Sequence, residues 1–304
     1  MHQQAQERET PPLGRLLEVG GRRLLVHCSG NGGPAVVFAA GASAIGLDYL
    51  NVHDRITGFT TSVLYDRGGT GWSDPAPLPR TGTEGAEELG AMLRAAGVPA
   101  PYLLVGHSLG GIYVRRFAQL HPDEVAALLL LEPAHEDWDA YMPEHLRMRG
   151  HVGAEAPPMP EVTGELLRQF RAMLEQMFAG WPDAVREALI ERHLDPGWLQ
   201  ANALERSNMI EVLDELRDGG TPDVPLIVIT GMRIDPGQAV FLSEDQLREQ
   251  NEAKLALYEA VAASVPRGEH RVLENASHSL LHIEGQDAVV QAIRDLVDRA
   301  GANR

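Results

Sequence analysis

The fold of this chain is decided by residues 102–120, which read YLLVGHSLGGIYVRRFAQL. An apolar run from Tyr102 to Gly106 is followed by an amphipathic helical pattern from Gly110 to Leu120. Their junction, Gly106-His107-Ser108-Leu109-Gly110, has the form G-x-S-x-G. Glycine at both ends permits a sharp strand-to-helix turn that projects the serine hydroxyl outward. This context predicts a nucleophilic Ser108, although a tight turn without chemistry would give the same pattern.

Apolar runs alternate with helical patterns on both sides of this stretch. The alternation predicts an α/β protein with a mostly parallel, eight-stranded sheet and helices on both faces. Crossover helices are expected at residues 47–56, 83–96, 110–120, 243–264 and 286–299. The predicted strands are residues 16–19, 22–28, 35–40, 61–65, 102–106, 125–131, 224–230 and 270–274.

The alternation is interrupted between residues 133 and 222, where only helical patterns occur, at 161–178, 182–193 and 197–217. We therefore expect residues 15–132 and 223–300 to form one α/β core. Residues 133–222 are then a helical cap inserted into it, and residues 1–14 a flexible N-terminus. Most aromatic and methionine side chains of the insertion have core spacing, but Trp138 follows a strand so closely that we expect it to line the substrate pocket.

Composition narrows the range of partners. The 304 residues carry a net charge of -17, which repels nucleic acid and anionic membrane surfaces and leaves a small molecule as the expected substrate. A single cysteine, Cys28, excludes an internal disulfide and a cysteine-based zinc cage. Residues 1–10 lack the apolar region of a secretory signal, so a cytoplasmic location is expected. The oligomeric state does not follow from these features.

Lys254 is the only lysine in the chain. A GC-rich coding bias explains the preference for arginine without any selection for function, so we assign Lys254 no role. Arg67, within the glycine-rich stretch 66–71, is expected to be a structural ion-pair partner near the sheet edge, because the stretch lacks the Gly-Lys-Ser/Thr of a phosphate loop.

A nucleophilic serine needs a base that accepts its proton and an acid that orients the base. Asp235 and His278 each follow a predicted strand, which places both at the sheet edge where Ser108 is expected. The chain order Ser, Asp, His is the one associated with this type of turn. We therefore predict Ser108, His278 and Asp235 as a catalytic triad.

Two substitutes within this triad remain open. Asp235 precedes a proline and could be only a turn carboxylate, in which case Glu132, at the end of strand 125–131, would supply the acid. His282 lies four residues after His278 and is the alternative base.

These motifs together resemble the α/β-hydrolase superfamily, near its small bacterial serine esterases. The family pattern places an oxyanion hole on the backbone N–H groups of Ala42 and Leu109, with a helical lid over the site. The chain departs from it where relatives often have His-Gly and this chain has Ala40-Gly41, and by an extra residue between Gly231 and Asp235. The matching stretches are residues 36–42, 65–74, 106–110 and 277–284.

The resemblance implies hydrolysis of a carboxylic ester of a small or medium apolar substrate through an acyl-enzyme intermediate, with no metal or organic cofactor. Thioester hydrolysis, acyl transfer and carbon–carbon bond hydrolysis use the same triad and remain alternatives. An alternative of another class is a ligand-binding protein that keeps the pocket with little turnover.

Overall fold

The structure, a computed structural model, describes residues 10–149, 164–217 and 219–301. Most of the predicted flexible N-terminus, residues 1–9, therefore lies outside the described residues, and Leu13 at its end packs against the core. The strands are β1 (Arg15–Val19), β2 (Arg22–Ser29), β3 (Ala35–Ala39), β4 (Ser62–Tyr65), β5 (Tyr102–His107), β6 (Val125–Leu131), β7 (Leu226–Gly231) and β8 (Gly268–Leu273).

These strands form one sheet in the order β1-β2-β4-β3-β5-β6-β7-β8. The β1–β2 and β2–β4 pairs are antiparallel, and the other five pairs are parallel. The predicted α/β class and mostly parallel eight-stranded sheet are confirmed.

Helices cover both faces of the sheet. The helices are α1 (Leu50–Ile56), α2 (Gly82–Ala96), α3 (Leu109–Leu120), α4 (Trp138–Tyr141), α5 (Gly164–Met177), α6 (Asp183–Leu194), α7 (Pro196–Arg206), α8 (Met209–Asp214), α9 (Glu244–Ala263), α10 (Leu281–Glu284) and α11 (Gln286–Gly301). Helices α2, α3 and α9 pack on one face of the sheet, and α1 and α11 pack on the other.

The central strands are apolar throughout because both of their faces are buried. In β6, Leu129 and Leu131 belong to the core cluster that α1 and α11 cover, whereas Leu128 and Leu130 belong to the cluster under α2, α3 and α9. This two-residue alternation fixes the register of the strand, since a slip of one residue would exchange its two faces.

Helices α4 to α8 lie between β6 and β7, in the segment predicted as an insertion. The predicted helix 197–217 is two helices, α7 and α8. Ser207 Oγ donates to the Leu204 carbonyl oxygen at the end of α7, and Asn208 Nδ2 donates to the Arg80 carbonyl oxygen. The backbone leaves helical geometry at Asn208, where φ is −114° and ψ is 31°, and this separates the two helices.

No helix within the described ranges has the length and apolar character required to cross a membrane.

Candidate active site

Ser108 occupies a strained turn between β5 and α3. Its backbone has φ 51° and ψ −118°, a region that L-residues rarely adopt. The turn leaves no room for a side chain at either glycine. A Cβ at Gly106 would lie 2.5 Å from Val114 Cγ2, and one at Gly110 would lie 2.0 Å from the Ala39 carbonyl oxygen. The two glycines of the pentapeptide are thus required by close approach, as the sequence predicted.

Glu132 is the carboxylate that contacts His278. Oε2 of Glu132 lies 2.7 Å from Nδ1 of His278, and the Glu132 side chain is only 1% exposed. The Gly231 N–H also donates to Glu132 Oε1, at 2.6 Å. Glu132 directly follows β6 and has a positive φ of 42°, so a second strained residue lies beside the strained serine.

Asp235 does not contact the His278 ring, and the prediction that it orients His278 is corrected. Its Oδ2 accepts the Ser279 N–H at 2.5 Å, and its Oδ1 accepts the Gln238 N–H at 2.8 Å and the Ser279 hydroxyl at 3.1 Å. Both carboxylate oxygens are therefore engaged by the turn after β7 and by the residue that follows His278. Asp235 is a turn carboxylate that anchors the His278 loop, and the alternative acid, Glu132, occupies the position beside the ring.

Lys254 was assigned no role from the sequence, but the structure places it in this site. Its Nζ lies 2.8 Å from Glu132 Oε1 and 3.0 Å from Oε2, and its side chain is 3% exposed. Burial alone would raise the pKa of Glu132, but the Lys254 charge and the His278 hydrogen bond outweigh burial and lower that pKa to about 2. The carboxylate is therefore ionised, so His278 Nδ1 carries the proton and donates it to Glu132.

The second ring nitrogen of His278, Nε2, is the one available to Ser108. Among the hydrogen bonds of the described residues, none joins Ser108 Oγ to His278 Nε2. The two residues share one edge of the sheet, where the Ser108 N–H donates to the Leu131 carbonyl oxygen at 3.1 Å, immediately before Glu132.

His107 links the serine turn to the histidine loop, a role that the sequence did not suggest. Its Nε2 lies 3.0 Å from the His278 carbonyl oxygen, and its Nδ1 lies 2.6 Å from Tyr49 Oη. Burial, together with the neighbouring histidines, lowers the pKa of His107 well below its usual value, so the ring is neutral. A carbonyl can only accept, so Nε2 donates to His278 and Nδ1 accepts the Tyr49 hydroxyl proton.

Tyr49 also accepts the Gly41 N–H at 3.3 Å, which extends this chain of hydrogen bonds to the loop after β3. The same loop is held by Arg67, whose Nη1 donates to the Ala40 carbonyl oxygen at 2.6 Å and whose Nη2 donates to the Gly41 carbonyl oxygen at 3.1 Å. In a trans peptide the N–H points opposite to the C=O. Arg67 therefore directs the Ala42 N–H away from itself.

Arg67 forms a buried ion pair with Glu205 of α7, which confirms the predicted ion-pair role. Arg67 Nε lies 2.8 Å from Glu205 Oε1, and Nη2 lies 2.9 Å from Oε2. Burial opposes ionisation of Glu205, but the Arg67 charge and hydrogen bonds outweigh it and lower the pKa of Glu205. One residue of the inserted segment thus holds the side chain that orients the Ala42 peptide.

Ala42 and Leu109, the residues named for an oxyanion hole, both lie next to Ser108 in the structure. A Cβ at Gly41 would lie 3.4 Å from Ser108 Cβ, so the Ala42 loop adjoins the serine. Leu109 is the first residue of α3, where a backbone N–H has no partner within the helix. Within the described part of the chain, no hydrogen-bond acceptor is recorded for the Ala42 N–H.

The remaining predicted site residues lie elsewhere. Trp138 packs against the core cluster beneath α9, and its Nε1 donates to the Leu146 carbonyl oxygen at 3.2 Å. These neighbours give no support to the prediction that Trp138 lines the substrate pocket. His282 is buried and packs against Tyr49, with ring centroids 4.5 Å apart and the rings tilted by 33°, and burial lowers its pKa to about 4. His278, and not His282, is the histidine beside a carboxylate of the site.

Most large aromatic and methionine side chains in the described part of the inserted segment are core, as their spacing predicted. Phe178, Trp181 and Trp198 are buried in the cluster that includes α1 and α11, whereas Phe170 and Met173 are exposed. A cavity of about 480 Å³ lies between β8 and the start of α11, but neither Ser108 nor His278 lines it.

Comparison with known proteins identifies the family. A family model described as alpha/beta hydrolase fold matches residues 24–195, more than half of the chain. The chain belongs to the alpha/beta hydrolase family. It is similar to the uncharacterised protein YqjL of Bacillus subtilis (strain 168), with 31% identity over 126 residues, 40% of this chain and 48% of that protein. The chain spans less than half the length of this and the other curated relatives it matches.

Solved structures match the whole fold at low identity. Cfl2 from Burkholderia cenocepacia has a TM-score of 0.70 and 20% identity, with 95% of this chain and 98% of that chain covered. A thermophilic esterase from Thermogutta terrifontis has a TM-score of 0.61 and 20% identity, with 94% and 98% covered. A meta-cleavage product hydrolase from Pseudomonas fluorescens IP01 has a TM-score of 0.63 and 15% identity, with 95% and 98% covered. These likenesses establish the fold.

Proposed function

We propose that the protein hydrolyses a carboxylic ester of a small or medium apolar substrate through an acyl-enzyme intermediate. Ser108 is the nucleophile, His278 the general base and Glu132 the acid that orients the base. The observation that carries the proposal is the 2.7 Å contact between His278 Nδ1 and the ionised Glu132, at the sheet edge where Ser108 occupies its strained turn. The inserted segment 133–222 acts as the cap over this edge.

The reaction follows from the protonation states. Because Nδ1 of His278 donates to Glu132, Nε2 has a free lone pair and accepts the Ser108 proton as Oγ attacks the acyl carbonyl. The imidazolium formed is stabilised by the Glu132 charge and then protonates the leaving alcohol. In the second half, His278 takes a proton from water and the hydroxide attacks the acyl-enzyme. The tetrahedral intermediate then breaks its bond to Ser108 Oγ, His278 returns the proton to Oγ, and the carboxylic acid is released.

The N–H groups of Ala42 and Leu109 serve as the oxyanion hole. Loss of one such donor in other enzymes costs about 2.7–4 kcal/mol in the barrier. Arg67 supports this role of Ala42, since its two bonds to the Ala40 and Gly41 carbonyl oxygens hold the loop before any substrate arrives. A donor that is already oriented needs no reorganisation when negative charge develops on the substrate oxygen.

The test is covalent labelling by a fluorophosphonate, followed by hydrolysis of p-nitrophenyl butyrate. We expect the probe to label Ser108, identified by peptide mass spectrometry, and we expect Ser108→Ala to lose both labelling and hydrolysis. Ser73→Ala is the matched control and should keep both, because the Ser73 hydroxyl is engaged by the Leu25 N–H and the Asp66 carbonyl oxygen. Activity that survives in Ser108→Ala would exclude the serine mechanism.

A panel of substrates separates ester hydrolysis from the reactions that use the same triad. Turnover of p-nitrophenyl esters with little release of coenzyme A from acyl-CoA, and no cleavage of a vinylogous 1,5-diketone, is the expected result. Labelling of Ser108 without turnover of any of these would favour the ligand-binding alternative.

A further inference from the structure

The catalytic carboxylate has a buried counter-ion. Lys254 is the only lysine in the chain, and its ammonium group contacts both oxygens of Glu132. A buried ammonium is costly unless it is paired, and Glu132 is the partner recorded for it within the described residues. Lys254 thus faces the same carboxylate that His278 uses.

Lys254 is presented by α9, whose buried polar side chains point at the loops of the site. Gln250, Lys254 and Tyr258 follow one another at intervals of four residues, which places them on one face of the helix. Tyr258 Oη donates to the Pro133 carbonyl oxygen at 3.1 Å, directly after Glu132. Both the side chain of Glu132 and the backbone beside it are therefore held from α9.

The charges of Glu132 and Lys254 act in opposite directions on the protonation of His278. A carboxylate alone favours a protonated imidazole beside it, but an ammonium group on the same carboxylate removes most of that preference. The other titratable groups recorded next to His278 or its neighbour Ser279 are the neutral His107 from the end of β5 and the Asp235 carboxylate, which accepts the Ser279 N–H and hydroxyl. Lys254 is thus the positive charge recorded on the Glu132–His278 pair within the described ranges.

Resting on the function proposed above, we propose that Lys254 is a positioning residue for catalysis. Its charge balances Glu132, so that His278 loses its extra proton and becomes a competent base at a lower pH than it would beside an unbalanced carboxylate. Its two contacts also fix the carboxylate that orients the ring.

The test compares Lys254→Gln with Lys254→Arg. Gln removes the charge and keeps a hydrogen-bond donor, and Arg keeps the charge. The readout is the pH dependence of the second-order rate constant for fluorophosphonate labelling. We expect the midpoint of the acidic limb to move to higher pH by about one to two units in Lys254→Gln, the size of effect produced by a charge at contact range. We expect Lys254→Arg to restore most of the wild-type midpoint.

A matched control removes a positive charge elsewhere on α9. Arg248 is 63% exposed and pairs with Glu244 at the surface, so Arg248→Gln should leave the midpoint unchanged. If Lys254→Gln slows labelling equally at all pH values with no change in the midpoint, Lys254 is only structural and the proposal is overturned.

A second measurement separates this inference from the proposed function. The His278 ring signals, assigned by comparison with His278→Gln, are titrated by NMR in the wild type and in Lys254→Gln. An upward move of the titration midpoint in the variant supports the Lys254 inference even if wild-type Ser108 fails to react with the probe, an outcome that would refute only the serine mechanism. An unchanged NMR midpoint overturns the Lys254 inference, whether or not Ser108 reacts.

Discussion

At the scale of single residues, backbone strain and carboxylate geometry define the site. Ser108 and Glu132 both have positive φ values, and both immediately follow neighbouring parallel strands. Such conformations cost about 1–3 kcal/mol each and persist where the surrounding structure enforces them. Here the two strained residues lie at the same edge of the sheet, and the carboxylate of Glu132 contacts His278.

The choice of acid gives a prediction at this scale. We expect Glu132→Gln to lower the labelling rate about 10⁴-fold, as loss of a triad carboxylate does elsewhere, because the His278 tautomer is no longer fixed. Asp235→Asn should cost far less, since Asp235 binds backbone N–H groups and not the ring. The measurement is the second-order labelling rate of both variants, each checked for folding by circular dichroism.

Glu132→Asp is the control for folding, because it keeps the charge beside Lys254 while withdrawing the carboxylate by one methylene group. It should fold like the wild type and lose an intermediate amount of rate. Equal losses of labelling rate in Asp235→Asn and Glu132→Gln would show that contact with the His278 ring does not identify the triad acid.

At the scale of elements, the inserted helices are tied to the loop that adjoins Ser108. Trp181 Nε1 donates to the Leu47 carbonyl oxygen at 3.0 Å, and His193 Nε2 lies 3.0 Å from Asp48 Oδ1. Together with the ion pair between Glu205 and Arg67, these contacts join α6, α7 and the turn before α6 to the segment after β3. A displacement of the inserted helices would therefore change the orientation of the Ala42 peptide.

The Arg67–Glu205 pair gives the prediction for this scale. Glu205→Gln leaves a buried guanidinium without a counter-charge, and we expect it to lower the free energy of unfolding by about 3 kcal/mol or more. We also expect labelling of Ser108 to slow by about tenfold or more under native conditions, because the Ala42 donor loses its fixed direction. Urea unfolding and the labelling rate measure the two effects.

Glu244→Gln is the matched control, since it removes the same group from an ion pair that is about two-thirds exposed. It should change the unfolding free energy by no more than about 0.5 kcal/mol. A Glu205→Gln protein as stable and as reactive as this control would show that the buried pair does not hold the loop.

At the scale of the whole molecule, buried titratable groups make stability depend on pH. Burial lowers the pKa of His53 to about 3 and the pKa values of His135 and His282 to about 4, against about 6.5 in the unfolded chain. Because the unfolded state binds these protons first, their contribution is fully present above pH 6.5 and is lost as the pH falls through the folded values. Glu132, with a pKa of about 2, adds a further loss below about pH 4.5.

Asp66 changes the free energy of unfolding with pH in the opposite direction. Burial raises its pKa to about 7, so the folded state takes up that proton first and its stabilising contribution is lost as the pH rises toward 7. The buried histidines with lowered pKa values, which also include His107, outnumber the carboxyl groups with raised pKa values, Asp66 and Asp54. The free energy of unfolding is therefore expected to fall between pH 6.5 and 4.

Urea unfolding at pH 7, 5.5 and 4 measures this dependence. His282→Phe, which keeps a ring against Tyr49, should flatten the curve between pH 6.5 and 4 because one proton uptake is removed from the unfolded state. A wild-type unfolding free energy that is constant or rises toward pH 4 would contradict the argument.

What the sequence by itself determined is local in the chain. The apolar runs and helical patterns located all eight strands and the long helices, because burial on both faces of a sheet leaves a continuous apolar signature. The glycines near Ser108 predicted the strained turn, and the position of His278 after a predicted strand indicated that it lies at the same sheet edge. Arg67 was also assigned correctly as an ion-pair partner.

Only the tertiary structure decided which charged groups meet. Glu132 contacts His278 across 146 residues, and Lys254 reaches Glu132 across 122 residues. Neither separation produces a periodic pattern in the sequence. Asp235 follows a strand just as Glu132 does, so position after a strand favoured neither carboxylate. The outcome depends on strand register, on the turn that engages both oxygens of Asp235, and on which face of α9 is buried. A role for Lys254 could be recognised only once the fold placed it against a carboxylate, because the interaction energy of a charge depends on its distance from other charges and on its burial.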